Sequence, residues 1–213
     1  FFYFLFLLDQ NIQDLPLTDL DISETLIGAQ GLRWIIDSFS QLNKLVLKGC
    51  RRIDSESFSR IHELDKLSYL DISGCSGISK NTFETIKKLS LQSLYCQSCT
   101  ALQDSQVLNA LSIPTLVTAD FRNCVKLTST CLENGKAKDL EYIDFSRCLA
   151  IDDAGVSALC SWAKKIKYLR LGETGISYHA LHTIKDNLRG LRRLDISSCR
   201  SIIAGSISTL KGM

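Results

Sequence analysis

A motif of the form Leu-x-x-Leu-x-Leu-x-x-Cys, with tolerated substitutions, recurs eight times in this chain of 213 residues. Its first positions are Leu17, Leu42, Leu67, Leu91, Leu116, Leu140, Ile166 and Leu191, spaced by 25, 25, 24, 25, 24, 26 and 25 residues. A period held that closely describes one small unit built eight times. No such unit can bury its own apolar side, so its stability has to come from stacked neighbours.

Within each unit the Leu-x-Leu part alternates with period two, the pattern of a short strand with one buried face. The clearest copies are Leu42-x-x-Leu45-x-Leu47-x-x-Cys50, Leu67-x-x-Leu70-x-Ile72-x-x-Cys75 and Leu191-x-x-Leu194-x-Ile196-x-x-Cys199; the copy at Leu116 is looser, with Ala119 and Phe121. After the turn comes an apolar residue, then a residue able to cap a helix: Asp54, Ser79, Thr128, Asp152 and Ser177. Such side-chain oxygens accept the first free helix N–H groups. Helix-spaced apolar residues follow, as in Phe58-Ile61-Leu64 and Phe83-Ile86-Leu89, and both prolines, Pro16 and Pro114, stand outside helix interiors. The expected architecture is α/β. Short parallel strands form an inner sheet, and bulkier helices on the outer side force the stack to curve.

The eight units account for residues 17–213, and residues 1–16 read as the end of a preceding repeat or a frayed segment. The apolar octet Phe1 to Leu8 is too short for a membrane span and has no basic leader. No polar capping unit is visible at either end, so the array reads as a fragment open at both ends. Nine cysteines without clustered spacing, and no Asn-x-Ser/Thr sequon, point to reduced thiols in a cytoplasmic or nuclear setting. The net charge is only +2, but residues 161–213 carry ten bases against three acids.

Segments such as Leu70-Asp71-Ile72-Ser73-Gly74-Cys75-Ser76-Gly77-Ile78-Ser79 and Ile143-Asp144-Phe145-Ser146-Arg147-Cys148-Leu149-Ala150-Ile151-Asp152 resemble the cysteine-containing leucine-rich repeat. The resemblance covers residues 17–210. It implies a right-handed β–α superhelix, a horseshoe like that of ribonuclease inhibitor, with its parallel sheet on the concave face and helices on the convex face. This repeat is best known from F-box proteins, the substrate receptors of Skp1–cullin–F-box (SCF) ubiquitin ligases. Related repeats serve in plant hormone receptors, in protist proteins and in bacterial effectors. The chain departs from the pattern at Thr25 and Thr174, which replace Cys with a turn one residue shorter, and it contains no F-box.

The tempting chemical motifs have structural readings. Cys96-x-x-Cys99 has the spacing of a zinc or redox pair, but Cys96 falls at a strand position and Cys99 on the repeat cysteine, with no second pair of ligands. The ladder Thr25, Cys50, Cys75, Cys99, Cys124, Cys148, Thr174 and Cys199 reads as small side chains packed in the turn after each strand. Cys131 and Cys160 read as core. His179-x-x-His182 lacks a third ligand, and Gly135-Lys136 lacks the rest of a phosphate loop. No catalytic constellation, metal or cofactor is expected.

Binding is the expected function, and alternation predicts where. Counting each first Leu or Ile as position zero, positions two, four and six face the concave side. Position four carries Asp21, Asp71, Asp120, Asp144 and Asp195, which reads as a solvated consensus stripe. Against it stand Tyr69, Tyr95, Arg122, Tyr142, Tyr168, Arg170 and Arg193, residue types that dominate binding energy at protein interfaces. A second candidate is a basic edge of Lys164, Lys167, Arg189 and Arg192, suited to an acidic or phosphorylated segment. The expected partner is a protein on the concave face, with Skp1–cullin machinery engaged through a segment outside these residues. The rival readings are a stand-alone scaffold or an effector module. A nucleic-acid solenoid would need basic residues spaced through all the repeats.

Overall fold

A computed structural model describes residues 15–211, so the N-terminal octet lies outside the described residues. Eight strands form one open parallel sheet in sequence order: β1 (Asp19–Asp21), β2 (Lys44–Val46), β3 (Tyr69–Asp71), β4 (Ser93–Tyr95), β5 (Thr118–Asp120), β6 (Tyr142–Asp144), β7 (Tyr168–Arg170) and β8 (Arg193–Asp195). The register equals the sequence phase throughout. Leu45 pairs with Leu70, Leu70 with Leu94, and Ile143 with Leu169. Equivalent side chains therefore lie one strand spacing apart. The apolar side of this ladder is sealed: Leu45, Leu47, Leu70, Ile72, Leu94, Cys96, Ala119, Phe121, Ile143, Phe145, Leu169 and Leu171 are all fully buried.

A shared turn ends each strand. Position seven takes a left-handed backbone in every unit, at Glu24, Gly49, Gly74, Ser98, Asn123, Arg147, Glu173 and Ser198. This conformation aims the residue's N–H at the next unit, as in Gly49 N to Ser73 O (2.7 Å) and Arg147 N to Gly172 O (2.8 Å). Only two of the eight are glycine, so the interstrand bond holds most of these residues where an L side chain is disfavoured.

The cysteine that follows ties the units together. Each thiol donates to a strand carbonyl of the preceding unit: Cys50 to Ile22, Cys75 to Leu47, Cys99 to Ile72, Cys124 to Cys96, Cys148 to Phe121 and Cys199 to Leu171, at 3.0–3.3 Å. Thr25 and Thr174 turn back and donate instead to their own strands, at Ile22 O and Leu171 O. All nine cysteines are free and buried.

The outer side is less regular than the sequence pattern suggests. Helices fill five units: α1 (Ala29–Ser38), α2 (Lys80–Ile86), α3 (Asp104–Leu111), α4 (Asp153–Trp162) and α5 (Tyr178–Asn187). The other three carry only 3₁₀ turns, at Ile61–Glu63, Ser129–Leu132 and Ala204–Leu210. The helix expected across Phe58-Ile61-Leu64 is thus corrected to turns, although all three side chains are buried. Serines at 55, 57 and 59 there compete for backbone hydrogen bonds and weaken a helix. In the fifth unit β-branched residues lead into Asn134-Gly135, and Trp162 fills the vacant space, donating from Nε1 to Leu132 O (2.8 Å). Four of the five expected caps form: Ser79, Thr128, Asp152 and Ser177 each accept a backbone N–H two residues on, whereas Asp54 precedes no helix and accepts the Ser57 N–H in a turn. Among the described residues, no helix is long and apolar enough to cross a membrane.

Close backbone approach between units makes one glycine decisive. A Cβ on Gly77 would lie 2.5 Å from Ile53 O and 2.8 Å from Asp54 Cα, both backbone atoms that cannot rotate away. Gly77→Ala is expected to lower stability by about 2–3 kcal/mol in urea unfolding, as overpacking does. An unchanged midpoint would mean that these units are not stacked this closely.

Candidate functional site

The solvent side of the sheet is built by positions two, four and six, and position four corrects the sequence reading. Asp71, Asp120 and Asp144 are buried, the last two almost completely. All five position-four aspartates make the same local contact, in which Oδ1 accepts the N–H two residues on, at Ser23, Ser73, Arg122, Ser146 and Ser197, over 2.8–3.1 Å. Where Tyr95 replaces Asp, Gln97 N donates instead to Ser73 Oγ of the preceding unit (3.0 Å). The stripe is therefore turn structure carried on the inner face. At Asp71, Asp120 and Asp144 it is not a solvated acidic surface, while Asp21 stays exposed and Asp195 half-buried.

In the middle units these aspartates anchor a charged cluster. Asp120 Oδ2 accepts from Arg122 Nη2 (3.0 Å) and Gln97 Nε2 (2.9 Å). Asp144 Oδ2 accepts from the Tyr142 hydroxyl (3.3 Å) and faces Arg122 Nε at 3.7 Å and Arg170 Nη1 at 3.8 Å. Burial pushes the Asp120 carboxyl up, with Asp144 adding to the rise, against the lowering by the Arg122 amide and charge. Arg122 is partly desolvated, which opposes its charge, but Asp120 and Asp144 hold its pKa above the ordinary value. Two acids and two arginines thus compensate one another inside the wall.

The tyrosines stand over this cluster. Tyr95, Tyr142 and Tyr168 line a hollow of about 470 Å³ together with Gln97, Val117, Thr118, Asp120, Arg122 and Glu141. Tyr69 extends the aromatic surface by packing on Tyr95, ring centres 5.1 Å apart, with Lys44 Nζ 4.8 Å from the Tyr69 ring. Burial, followed by the nearby Asp144 and Asp120 charges, pushes the Tyr142 phenol up to about 12. Burial, then Tyr95 and Asp71, takes Tyr69 to about 12 as well. The Tyr142 and Tyr69 phenols are therefore neutral donors at any ordinary pH.

Of the residues singled out from the sequence, Tyr95, Arg122, Tyr142 and Tyr168 come together at the hollow. Tyr69 adjoins it, and Arg170 lies partly buried beside Asp144. Arg193 stands apart, exposed on β8 next to Tyr168. The basic edge divides. Lys167 pairs with Glu141 (2.6 Å) and Lys164 donates to Asn187 (2.9 Å), while Arg189 and Arg192 are exposed. Sequence reasoning placed Gln97 and the aspartates on this face but missed Glu141 and the burial of Asp71, Asp120 and Asp144; the signal for the last was the fixed Asp-x-Ser/Arg spacing. His179 and His182 are exposed and crowd Tyr178 on the outer surface. No group of three or more candidate metal ligands occurs among the described residues.

Comparison with known proteins agrees with this architecture. A family model described as Leucine Rich repeat matches residues 136–160. Among solved structures, internalin C2 of Listeria monocytogenes is similar over 91% of this chain and 77% of its own, with a TM-score of 0.65 and 18% identity. A chain of the TLR13–ssRNA13 complex gives 0.60 and 17%, over 88% of this chain and 26% of its own. A chain of the yeast Rad7–Elc1 complex gives 0.46 and 15%, over 91% and 66%. Identities this low speak for the fold alone. The chain spans just under two thirds of the yeast chain's length and about a quarter of the TLR13 chain's.

The two environments at position four separate by mutation. Asp120→Ala strands Arg122 and the Gln97 amide and is expected to cost about 3 kcal/mol, whereas half-buried Asp195→Ala loses two local bonds from Ser197 for about 1 kcal/mol. The pH dependences differ in sign. Hydrogen bonds from Ser197 lower Asp195, so its contribution is present above 3.8 and fades as pH falls through its depressed value. Asp120 is raised, so its ionised form opposes folding, and acidification through its elevated value relieves that. Urea unfolding at neutral pH and near pH 3 should find acid sensitivity reduced in Asp195→Ala and increased in Asp120→Ala.

Proposed function

We propose that the solvent face of the sheet recognises a protein, and that the chain is the substrate-binding part of an SCF-type ubiquitin ligase receptor acting in ubiquitin-dependent protein degradation. The recognition half is carried by the hollow around Tyr95, Tyr142 and Tyr168. Large aromatic side chains, already ordered by a compensated charge cluster beneath them, lose little entropy on binding and bury much area. The wall offers contact area and hydrogen-bond donors, and no nucleophile paired with a base, so the reading assigns binding to this chain and chemistry to other subunits. A reduced intracellular setting goes with it. Burial lifts the Cys75, Cys99 and Cys148 thiols to about 12, which suits packing groups better than reactive ones.

The ligase half rests on the resemblance of the cysteine-bearing units to F-box receptors. The solved relatives add nothing to it, because at such low identity their partners remain their own. A stand-alone scaffold or effector module is the alternative that the same face would serve.

Both halves are open to one set of measurements on the full-length protein. Tyr95→Ala with Tyr142→Ala is expected to weaken capture of its cellular partner by about 2 kcal/mol or more, with circular dichroism unchanged. Skp1 is expected to copurify with both wild type and variant, since it would dock outside this face. Partner capture that ignores both tyrosines removes the recognition site. Partner capture without Skp1 removes the ligase and leaves the scaffold.

A further inference from the structure

Around the hollow and the basic edge beside it, the cations fall into two groups. Arg122 and Arg170 are set against Asp120 and Asp144, Lys167 against Glu141, Lys165 against Asp139, and Arg147 against Glu173. These pairs leave the hollow without spare charge. Arg189, Arg192 and Arg193 are different: all three are exposed, and no carboxylate among the described residues forms an ion pair with them. Nearby Lys164 is exposed and bonded only to the neutral amide of Asn187. Positive charge therefore gathers at one end of the wall, where β7 and β8 begin, and the strand register carries it directly onto Tyr168 by way of Arg193.

We propose that this face takes an extended peptide segment in two parts: a neutral apolar or aromatic side chain seated in the tyrosine hollow, and a cluster of Asp and Glu side chains held by Arg189, Arg192 and Arg193. The inference rests on the recognition reading above and specifies its partner. Charge complementarity selects the acidic part, since an unpaired guanidinium recognises a carboxylate with paired N–H donors. The absence of net charge in the hollow selects the neutral part, because an ionised anchor there would displace a buried pair or remain unpaired. Geometry fixes the spacing. From β6 in the hollow to β8 is two strand spacings, about 10 Å, which an extended chain covers in about three residues. The acids accordingly lie about three to five residues from the anchor.

The test is selection from an immobilised random dodecapeptide library at low and moderate salt, using the wild-type chain, Arg189→Glu/Arg192→Glu/Arg193→Glu, its Gln counterpart, and Tyr95→Ala/Tyr142→Ala. Thermal unfolding checks that each exposed-site variant remains folded. Wild type is expected to enrich an apolar residue separated by about three to five positions from two or more acids. Both arginine variants are expected to keep the apolar preference and lose at least about tenfold of the acidic enrichment, together with its salt sensitivity. An acidic preference unchanged in the arginine variants, or none in wild type, overturns the inference while leaving the tyrosine site standing. Selection indifferent to Tyr95→Ala/Tyr142→Ala instead overturns the underlying recognition reading. Two further arms identify other occupants. A phosphoserine library preferred more than about tenfold over Glu, or a uridine oligonucleotide that binds more tightly than the selected peptides, replaces the acidic segment with a phosphorylated one or with RNA and overturns the proposal.

Discussion

The structure depends on the left-handed turn at position seven. There the backbone turns an N–H towards the next unit, and two bonds follow: that amide to the neighbouring carbonyl, and the next unit's cysteine thiol back to a carbonyl of the preceding unit. Together they fix the phase of each strand against the next. A slip of one residue would exchange the buried and solvent faces at every position. Because six of the eight turn residues are not glycine, the conformation is held by its bonds more than by local preference.

Fixed phase has a functional consequence. A solenoid of short parallel strands displays each row of side chains at one strand spacing, so recognition is set by which residues depart from the consensus. Here the consensus aspartates are absorbed by the turns they cap. In the middle of the array two of them also neutralise Arg122 and Arg170, which leaves tyrosine faces as the exposed contact material. No ion pair reaches Arg189, Arg192 or Arg193 beside β8, and the excess of bases over acids in residues 161–213 becomes a local feature of the surface there.

Much of this was legible in the sequence. The spacing of the leucines gave strand positions, sheet order and register, and the small residues after each turn gave the caps. The helices were harder to read. Phe58, Ile61 and Leu64 have helical spacing and are buried, yet the serines at 55, 57 and 59 around Phe58 leave only turns, because burial needs the apolar side chains placed and does not require the backbone between them to be helical. The acidic stripe was misread for a related reason. Alternation assigns a face, but Asp120 and Asp144 are screened from water by bonded neighbours: Arg122 and Tyr142, each two residues away in the same unit, and Gln97 from the preceding unit. The division of the basic edge also needed coordinates, since Glu141 and Lys167 are far apart in sequence but adjacent across the sheet.

The central claim is that equivalent residues of successive units lie side by side. Cysteine cross-linking at position two tests it most directly, since the native thiols are buried and burial raises the pKa of most of them, leaving them poor competitors for mild oxidants. Cysteines replacing Tyr142 and Tyr168, on adjacent strands about 4.8 Å apart, are within bridging distance. Cysteines replacing Tyr142 and Arg193, about 10 Å apart, are beyond it. The account predicts rapid intramolecular oxidation of the first pair and none of the second. Oxidation of the second pair in preference to the first would contradict it.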